Sequence, residues 1–367
     1  MSPFEPIALD VITGFLGAGK TTLINRLLTS PDLANTAVIV NEFGDVSIDH
    51  MLVETAREGI IELSDGCLCC TVRGDLVDTL ADLVDRLQTG RIATLDRVIV
   101  ETTGLADPVP VLHAIMAHPV LAQAYRLDGV VTLVDAVNGA ATLDAHEEAV
   151  RQVAVADRLV LTKTDLAADV EGLRARLSRL APAAPILDAR ETPAASALFG
   201  CGLFDPATRT ADVRRWLAEE AHHAAMHADG GHHDHADHHH GHDERFRSFS
   251  LLHDGPVSYA TIEMFLDLLR TTHAKGILRM KGVIELAEDP DRPLVIHGVQ
   301  SVLHPPVRLA TWPEGPRGTR LVLITVDIAE DYVRRLFAAF TNTLRLDTPD
   351  RAAMVDNPLA IPGRPGT

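Results

Sequence analysis

Between an apolar run at 7–12 and a helical pattern at 23–28, the chain places Thr13-Gly14-Phe15-Leu16-Gly17-Ala18-Gly19-Lys20-Thr21-Thr22. The spacing is G-x-x-x-x-G-K-[ST], a loop whose backbone N–H groups turn inward around a polyphosphate. Such a loop belongs between the carboxyl end of a buried strand and the amino end of a helix, so this short run dictates a strand–loop–helix unit at the start of the fold. Gly14, Gly17 and Gly19 allow the turn, and with Ala18 and Thr22 they form the phosphate cradle. Lys20 is expected to reach the β- and γ-phosphates, and the Thr21 hydroxyl to ligate Mg²⁺.

The following residues continue the pattern. Short apolar runs at 36–41, 59–63, 97–101, 129–135, 158–162 and 185–187 alternate with amphipathic stretches such as 75–87, 109–117 and 172–180. That alternation predicts an α/β fold, a P-loop NTPase domain over 5–204 with a mostly parallel sheet covered on both faces. Residues 205–245 then turn polar and fill with histidine, reading as a linker. Beyond it, strand-like runs at 246–252, 276–286, 294–302 and 319–327, with helical patterns at 258–272 and 331–340, predict a smaller α+β domain over 246–345. The Pro- and Gly-rich residues 346–367 read as a loosely held tail.

A formal charge of −18 argues against nucleic acid as the main partner, because a phosphate backbone needs a basic face. A single bound nucleotide stays compatible, since the loop handles phosphate locally. Residues 1–20 lack the basic and apolar regions of a secretory signal, and no apolar run is long enough to span a bilayer. Three of the four cysteines crowd into Cys67, Cys69 and Cys70, which is not a disulfide framework. The expectation is a cytoplasmic protein with no membrane partner. The oligomeric state stays open, a homo-oligomer included.

Two downstream elements fit a nucleotide site. Glu101-Thr102-Thr103-Gly104 follows the apolar Val98-Ile99-Val100. An acid at the tip of a buried strand suits holding Mg²⁺ through water, and the Gly104 N–H suits the γ-phosphate. Thr162-Lys163-Thr164-Asp165 follows Leu159-Val160-Leu161 and has the form [NT]-K-x-D. Asp165 can accept from the two guanine donors N1 and N2, which adenine lacks, and Lys163 can lay its stem along the base. Where most GTPases have Asn, this chain has Thr162, which removes an amide that braces the loop.

Gly66-Cys67-Leu68-Cys69-Cys70 puts three soft ligands within four residues, suited to Zn²⁺ and also to Co²⁺ or Cu⁺. Redox sensing and inert burial are the competing uses of such thiols. The polar linker adds accessory ligands at His232, His233, His235, His238, His239 and His240, interleaved with aspartates. A flexible tract of this kind buffers or captures metal ions, or is merely solvated.

Together, G-F-L-G-A-G-K-T-T at 14–22, N-E-F-G at 41–44, G-C-L-C-C at 66–70, E-T-T-G at 101–104 and T-K-T-D at 162–165 resemble the CobW family of metallochaperone-type P-loop GTPases. Leu278-Arg279-Met280-Lys281-Gly282 is similar to the start of that family's C-terminal domain. The resemblance implies slow GTP hydrolysis to GDP and phosphate, coupled to delivery of a transition metal, zinc first and cobalt next, to a client metalloprotein. It assigns the metal to Cys67, Cys69 and Cys70, with Glu42 as an extra ligand or switch residue. Three rivals stand beside it: a metal buffer with vestigial nucleotide binding, a GTPase helper in cobalamin or other metallocofactor assembly, and a nucleotide-dependent kinase.

Overall fold

The structure, a computed structural model, describes residues 6–28, 30, 33–40, 60–62, 72–182, 184–191, 195–200, 245–304, 306–312 and 317–341. Strand β1 (Ile7–Gly14) is buried along its whole length and opens into the glycine-rich loop. Helix α1 (Lys20–Leu27) follows, with Gly19 as its N-cap. Then come β2 (Thr36–Val40), β3 (Ile60–Glu62), α2 (Val72–Gln88), β4 (Arg97–Glu101), α3 (Pro108–Ala117), α4 (Pro119–Ala124) and β5 (Tyr125–Asp135). The unit closes with α5 (Gly139–Ala145), α6 (Glu147–Ala154), β6 (Arg158–Thr162), α7 (Val170–Leu180), β7 (Ile186–Asp188) and the short α8 (Ala195–Leu198).

The seven strands run β3-β2-β4-β1-β5-β6-β7, every neighbouring pair parallel. A parallel sheet needs cover on both faces. Alternation along β1 supplies the two sides: Leu9 and Val11 join Leu80, Leu112 and Val150 in one core, whereas Ile12 joins Leu23, Leu133 and Phe199 in the other.

The second unit is antiparallel. Its elements are β8 (Phe246–His253), α9 (Tyr259–His273), β9 (Ile277–Leu286), β10 (Asp289–Val299), β11 (Val302–Leu303), β12 (Val307–Arg308), β13 (Thr319–Val326) and α10 (Glu330–Phe340). The sheet order is β11-β10-β9-β13-β8, with β12 on β10. Ser258 caps α9 by accepting from the Thr261 N–H at 3.2 Å. Helices α9 and α10 cover one face through Phe265 and Phe337, whose rings meet edge to face at 5.2 Å. From the other side Phe246, Leu278, Val299 and Val326 pack into the core of the parallel unit.

The two-part α/β and α+β reading thus holds, and two strand assignments change. Strand β5 starts at Tyr125 rather than 129, because the pairing with β1 shifts register between Leu9 and Asp10. The extra residue is Asp128, buried against Arg97, so polar Arg126 and Asp128 interrupt the apolar run without ending the strand. The expected strand at 294–302 is instead two. Gln300 sits at φ 52°, in the left-handed region, and turns the chain so that β11 folds back onto β10.

Candidate functional site

Parallel strands bring their carboxyl ends to one edge, and the chain gathers its motifs there. The first contacts are between the glycine loop and the segment after β4. The Thr102 N–H donates to the Ile12 carbonyl at 2.9 Å, and its hydroxyl donates to Thr13 Oγ1 at 2.7 Å. These two bonds fix the 101–104 segment beside the loop. Gly104 lies so close to it that a Cβ there would stand 2.6 Å from the Leu16 nitrogen. Gly14 is equally constrained, with φ 141° and the Leu133 carbonyl where a Cβ would be.

Glu101, almost fully buried, accepts a hydrogen bond from the Thr21 hydroxyl at 3.1 Å. Two hard oxygens from different elements therefore meet at the first turn of α1. That donor set fits Mg²⁺. Lys20 folds back over the loop, its Nζ donating to the Gly14 carbonyl at 2.9 Å and to that of Phe15 at 3.3 Å. Gly17, Ala18, Gly19 and Thr22 complete the loop, with Ala18 buried and Thr22 exposed.

The segment after β6 contributes next. The Thr162 hydroxyl donates to the Ala18 carbonyl at 2.9 Å, so a hydroxyl braces the loop where an amide was expected to be missed. Lys163, at φ 55°, donates to Asp135 Oδ2 at 2.7 Å. Burial works against the Asp135 charge, yet hydrogen bonds from Lys163, Asn138 and the Val137 N–H hold its carboxyl below the ordinary range. Thr164 donates to Asp188 at 2.9 Å, tying the segment to β7. Asp165 is left exposed at the rim. The arrangement can hold a polyphosphate over α1 and offer a carboxylate to a base beside it.

Three participants escaped sequence reasoning. Asp135 and Asp188 close their strands, and only a strand-end position could have flagged them. Gln152 lies inside α6 with no motif around it, yet its Nε2 donates to the Gly104 carbonyl at 3.1 Å and to that of Ala106 at 3.0 Å. Burial raises the Asp107 carboxyl above its usual range although Arg151 stands 3.4 Å away.

Cys67, Cys69, Cys70, Glu42, His232, His233, His235, His238, His239 and His240 lie outside the described residues. Among the described residues, no group of three or more His, Cys, Asp or Glu is placed to hold a metal ion, and no helix is long and apolar enough to cross a membrane.

Residues 8–188 match the family described as CobW/HypB/UreG, nucleotide-binding domain, and residues 246–341 match the Cobalamin synthesis protein cobW C-terminal domain. The chain is 35% identical over 338 residues to the zinc chaperone YjiA of Escherichia coli (strain K12), covering 91% of this chain and 98% of that protein. It is 34% identical over 368 residues to the zinc chaperone CobW of Sinorhizobium sp, covering 91% and 97%. The crystal structure of Zn(II)-bound YjiA GTPase from E. coli superposes with a TM-score of 0.63 at 29% identity, over 92% of this chain and 99% of that one.

Proposed function

The chain belongs to the CobW/HypB/UreG nucleotide-binding family and carries a cobW C-terminal domain, and from that premise we propose a GTP-dependent carrier that delivers a transition metal to a client protein. Zinc is the first candidate, because the two relatives described above, matched over nearly their full length, are named zinc chaperones. Cobalt comes next, on ligand softness alone. The observation that carries the nucleotide half is the Thr21–Glu101 hydrogen bond at the mouth of the glycine loop. It supports a Mg²⁺–triphosphate site in working geometry, which argues against a vestigial one.

In this reading Lys20 exchanges its two carbonyl partners for the β- and γ-phosphates. Thr21 and Glu101 would hold Mg²⁺, which would supply positive charge against the phosphates. The Gly104 N–H registers the γ-phosphate, and Asp165 selects guanine. Hydrolysis of GTP by water to GDP and phosphate removes the contact at Gly104. No arginine finger is evident in the sequence, so intrinsic turnover is slow and a client accelerates it. On the same reading Cys67, Cys69 and Cys70 carry the metal, Glu42 serves as an extra ligand or switch residue, and the histidine tract acts as an accessory store. Because linkage is reciprocal, GTP tightens metal binding by the factor with which metal tightens GTP.

The test is a Zn²⁺ and Co²⁺ competition titration with a non-hydrolysable GTP analogue and Mg²⁺, repeated with GDP, on the full chain and on protein lacking residues 222–242. Tighter binding in the analogue state, lost in Cys67→Ser, is the expected result. Equal affinities in both states would break the coupling. The family description of the C-terminal domain favours one second reading, a GTPase helper in cobalamin or other metallocofactor assembly that never holds the metal. That reading expects GTP hydrolysis with no thiol-dependent metal binding.

A further inference from the structure

The 101–107 segment carries the Gly104 amide, and something must hold that amide in place when no nucleotide is bound. Its start is pinned at Thr102, by the Ile12 carbonyl and Thr13 hydroxyl bonds already described. Its end is pinned at Asp107, which caps α3 by accepting from the Val109 N–H at 2.9 Å and faces Arg151 of α6 at 3.4 Å. Between those points the chain reverses through Gly104, Leu105 and Ala106. Two carbonyls there, those of Gly104 and Ala106, turn inward to a single side-chain amide, Gln152 Nε2, at 3.1 and 3.0 Å.

Gln152 is only 1% exposed, and α6 is fixed in turn. The Thr132 hydroxyl on β5 donates to the Gln152 carbonyl at 2.7 Å, and His146 at the N-cap of α6 stacks on Phe15 of the glycine loop at 4.5 Å. A buried amide that spends both N–H groups on two carbonyls of one tight segment dictates which way the peptides of that segment point. The Gly104 N–H belongs to the preceding peptide, whose Thr103 carbonyl accepts from the Ala106 N–H at 3.1 Å, so both peptides that meet at Gly104 are held within one turn, packed on Leu16 of the glycine loop.

We propose that Gln152 is a positioning residue for GTP hydrolysis: it presets the Gly104 peptide for the γ-phosphate by holding two carbonyls of the same segment. This rests on the reading of Gly104 as the γ-phosphate sensor. The role requires donors, which glutamate at neutral pH and methionine both lack while nearly keeping the side chain's size. Glutamate also sets a charged acceptor against two carbonyls, so it is the harsher of the two.

The experiment compares full-length wild type, Gln152→Glu and Gln152→Met for GTP turnover and for the affinities of GDP and of a non-hydrolysable GTP analogue, all with Mg²⁺. Lost hydrogen bonds of this kind correspond to about a 10- to 100-fold fall in kcat. Analogue affinity is expected to fall with it, and GDP affinity to change less than about threefold, since GDP has no γ-phosphate to sense. A merely structural role would weaken GDP and analogue together, and that result would overturn the proposal. So would wild-type turnover in folded Gln152→Met. If Gln152→Glu fails to fold, Gln152→Met decides alone, and hydrogen exchange of residues 101–107 in wild type must show analogue-specific protection at Gly104. Wild type unable to hydrolyse GTP would instead remove the nucleotide reading itself, a failure distinct from that of Gln152.

Discussion

Strand β6 has a carboxylate just outside each end, and the two are used in opposite ways. Asp157 precedes the strand and is buried where the two sheets meet. Its Oδ2 accepts from the Val130 N–H at 2.8 Å and from Arg279 at 2.6 Å, and its Oδ1 accepts from Lys281. Burial opposes the charge, but Arg279 and Lys281 outweigh it and keep the carboxyl well below its usual range. Asp165, beyond the other end, is exposed on the loop that Thr162 and Thr164 brace. A carboxylate whose lone pairs are filled by the protein holds domains together, whereas one left at a braced rim is placed to meet a ligand.

Removing the first should therefore cost stability and spare chemistry. Asp157→Ala removes the buried carboxylate to which Arg279 and Lys281 both donate, and breaking a buried pair of this kind costs about 3–5 kcal/mol. A urea titration checks it, as a lower midpoint with an unchanged slope. Turnover measured well below the new transition should stay near wild type. A loss under about 1 kcal/mol would mean that water already reaches the seam.

Lys20→Ala should do the reverse. The ammonium donates to the Gly14 and Phe15 carbonyls of a loop with an exposed edge, so its loss is expected to weigh on phosphate binding more than on stability. Phosphate release should fall by about 10²–10³-fold, the scale for losing one preorganised electrostatic partner, while the melting curve barely moves. Retained hydrolysis would sink the assignment of the glycine loop.

The contrast between the two ends also marks what could be read in advance. The rim was legible because it is built from contiguous motifs: the loop at 14–22, Glu101 to Gly104 and Thr162 to Asp165 each announce themselves by local spacing. The seam was not. Asp157, Arg279 and Lys281 are brought together across a separation of more than a hundred residues, and nothing near Asp157 distinguishes it from a surface acid. Gln152 escaped for the same reason, since its partners are backbone carbonyls, which leave no trace in side-chain patterns. Helices α4, α5 and α6 were missed because each is only about two turns long, too short for a helical period to stand out. Strand β5 was cut short because polar residues at a bulge look like a strand end.

Asp165 provides a sharper test of the rim than Lys20, because it should alter choice rather than chemistry. Asp165→Asn replaces a charged double acceptor by an amide that accepts through one oxygen only. Charge-assisted hydrogen bonds of this type are worth about 1.5–3 kcal/mol, so GTP affinity should fall about 10- to 100-fold with kcat at saturation little changed. The comparison ligand is inosine triphosphate, which lacks the N2 donor. Wild type should prefer GTP over it clearly, and the variant should lose most of that preference. An unchanged ratio would leave base selection to another group.

The smallest effect belongs to the seam again, at His297. Arg279 Nε donates to His297 Nε2 at 3.3 Å, which requires that nitrogen to be unprotonated. Burial, then Arg279 and Lys281, push the ring well below its ordinary value, with Asp157 pulling back and His304 adding to the downward push. The folded ring therefore stays neutral while the unfolded one takes up a proton below about pH 6.5, so the unfolded state binds more protons and stability falls as pH drops through that value toward the folded pKa. Between pH 7.5 and 5.5 this group therefore lowers stability as pH falls, well above the range where Asp157 begins to contribute in the same direction. His297→Gln keeps an oxygen acceptor for Arg279 and removes the titration. Its stability curve should run flatter than that of wild type across this window, with the other histidines common to both. Equal slopes would mean that the ring is protonated in the folded chain, and then Asp157 rather than exclusion of water would be what keeps two cations and an imidazolium at one seam.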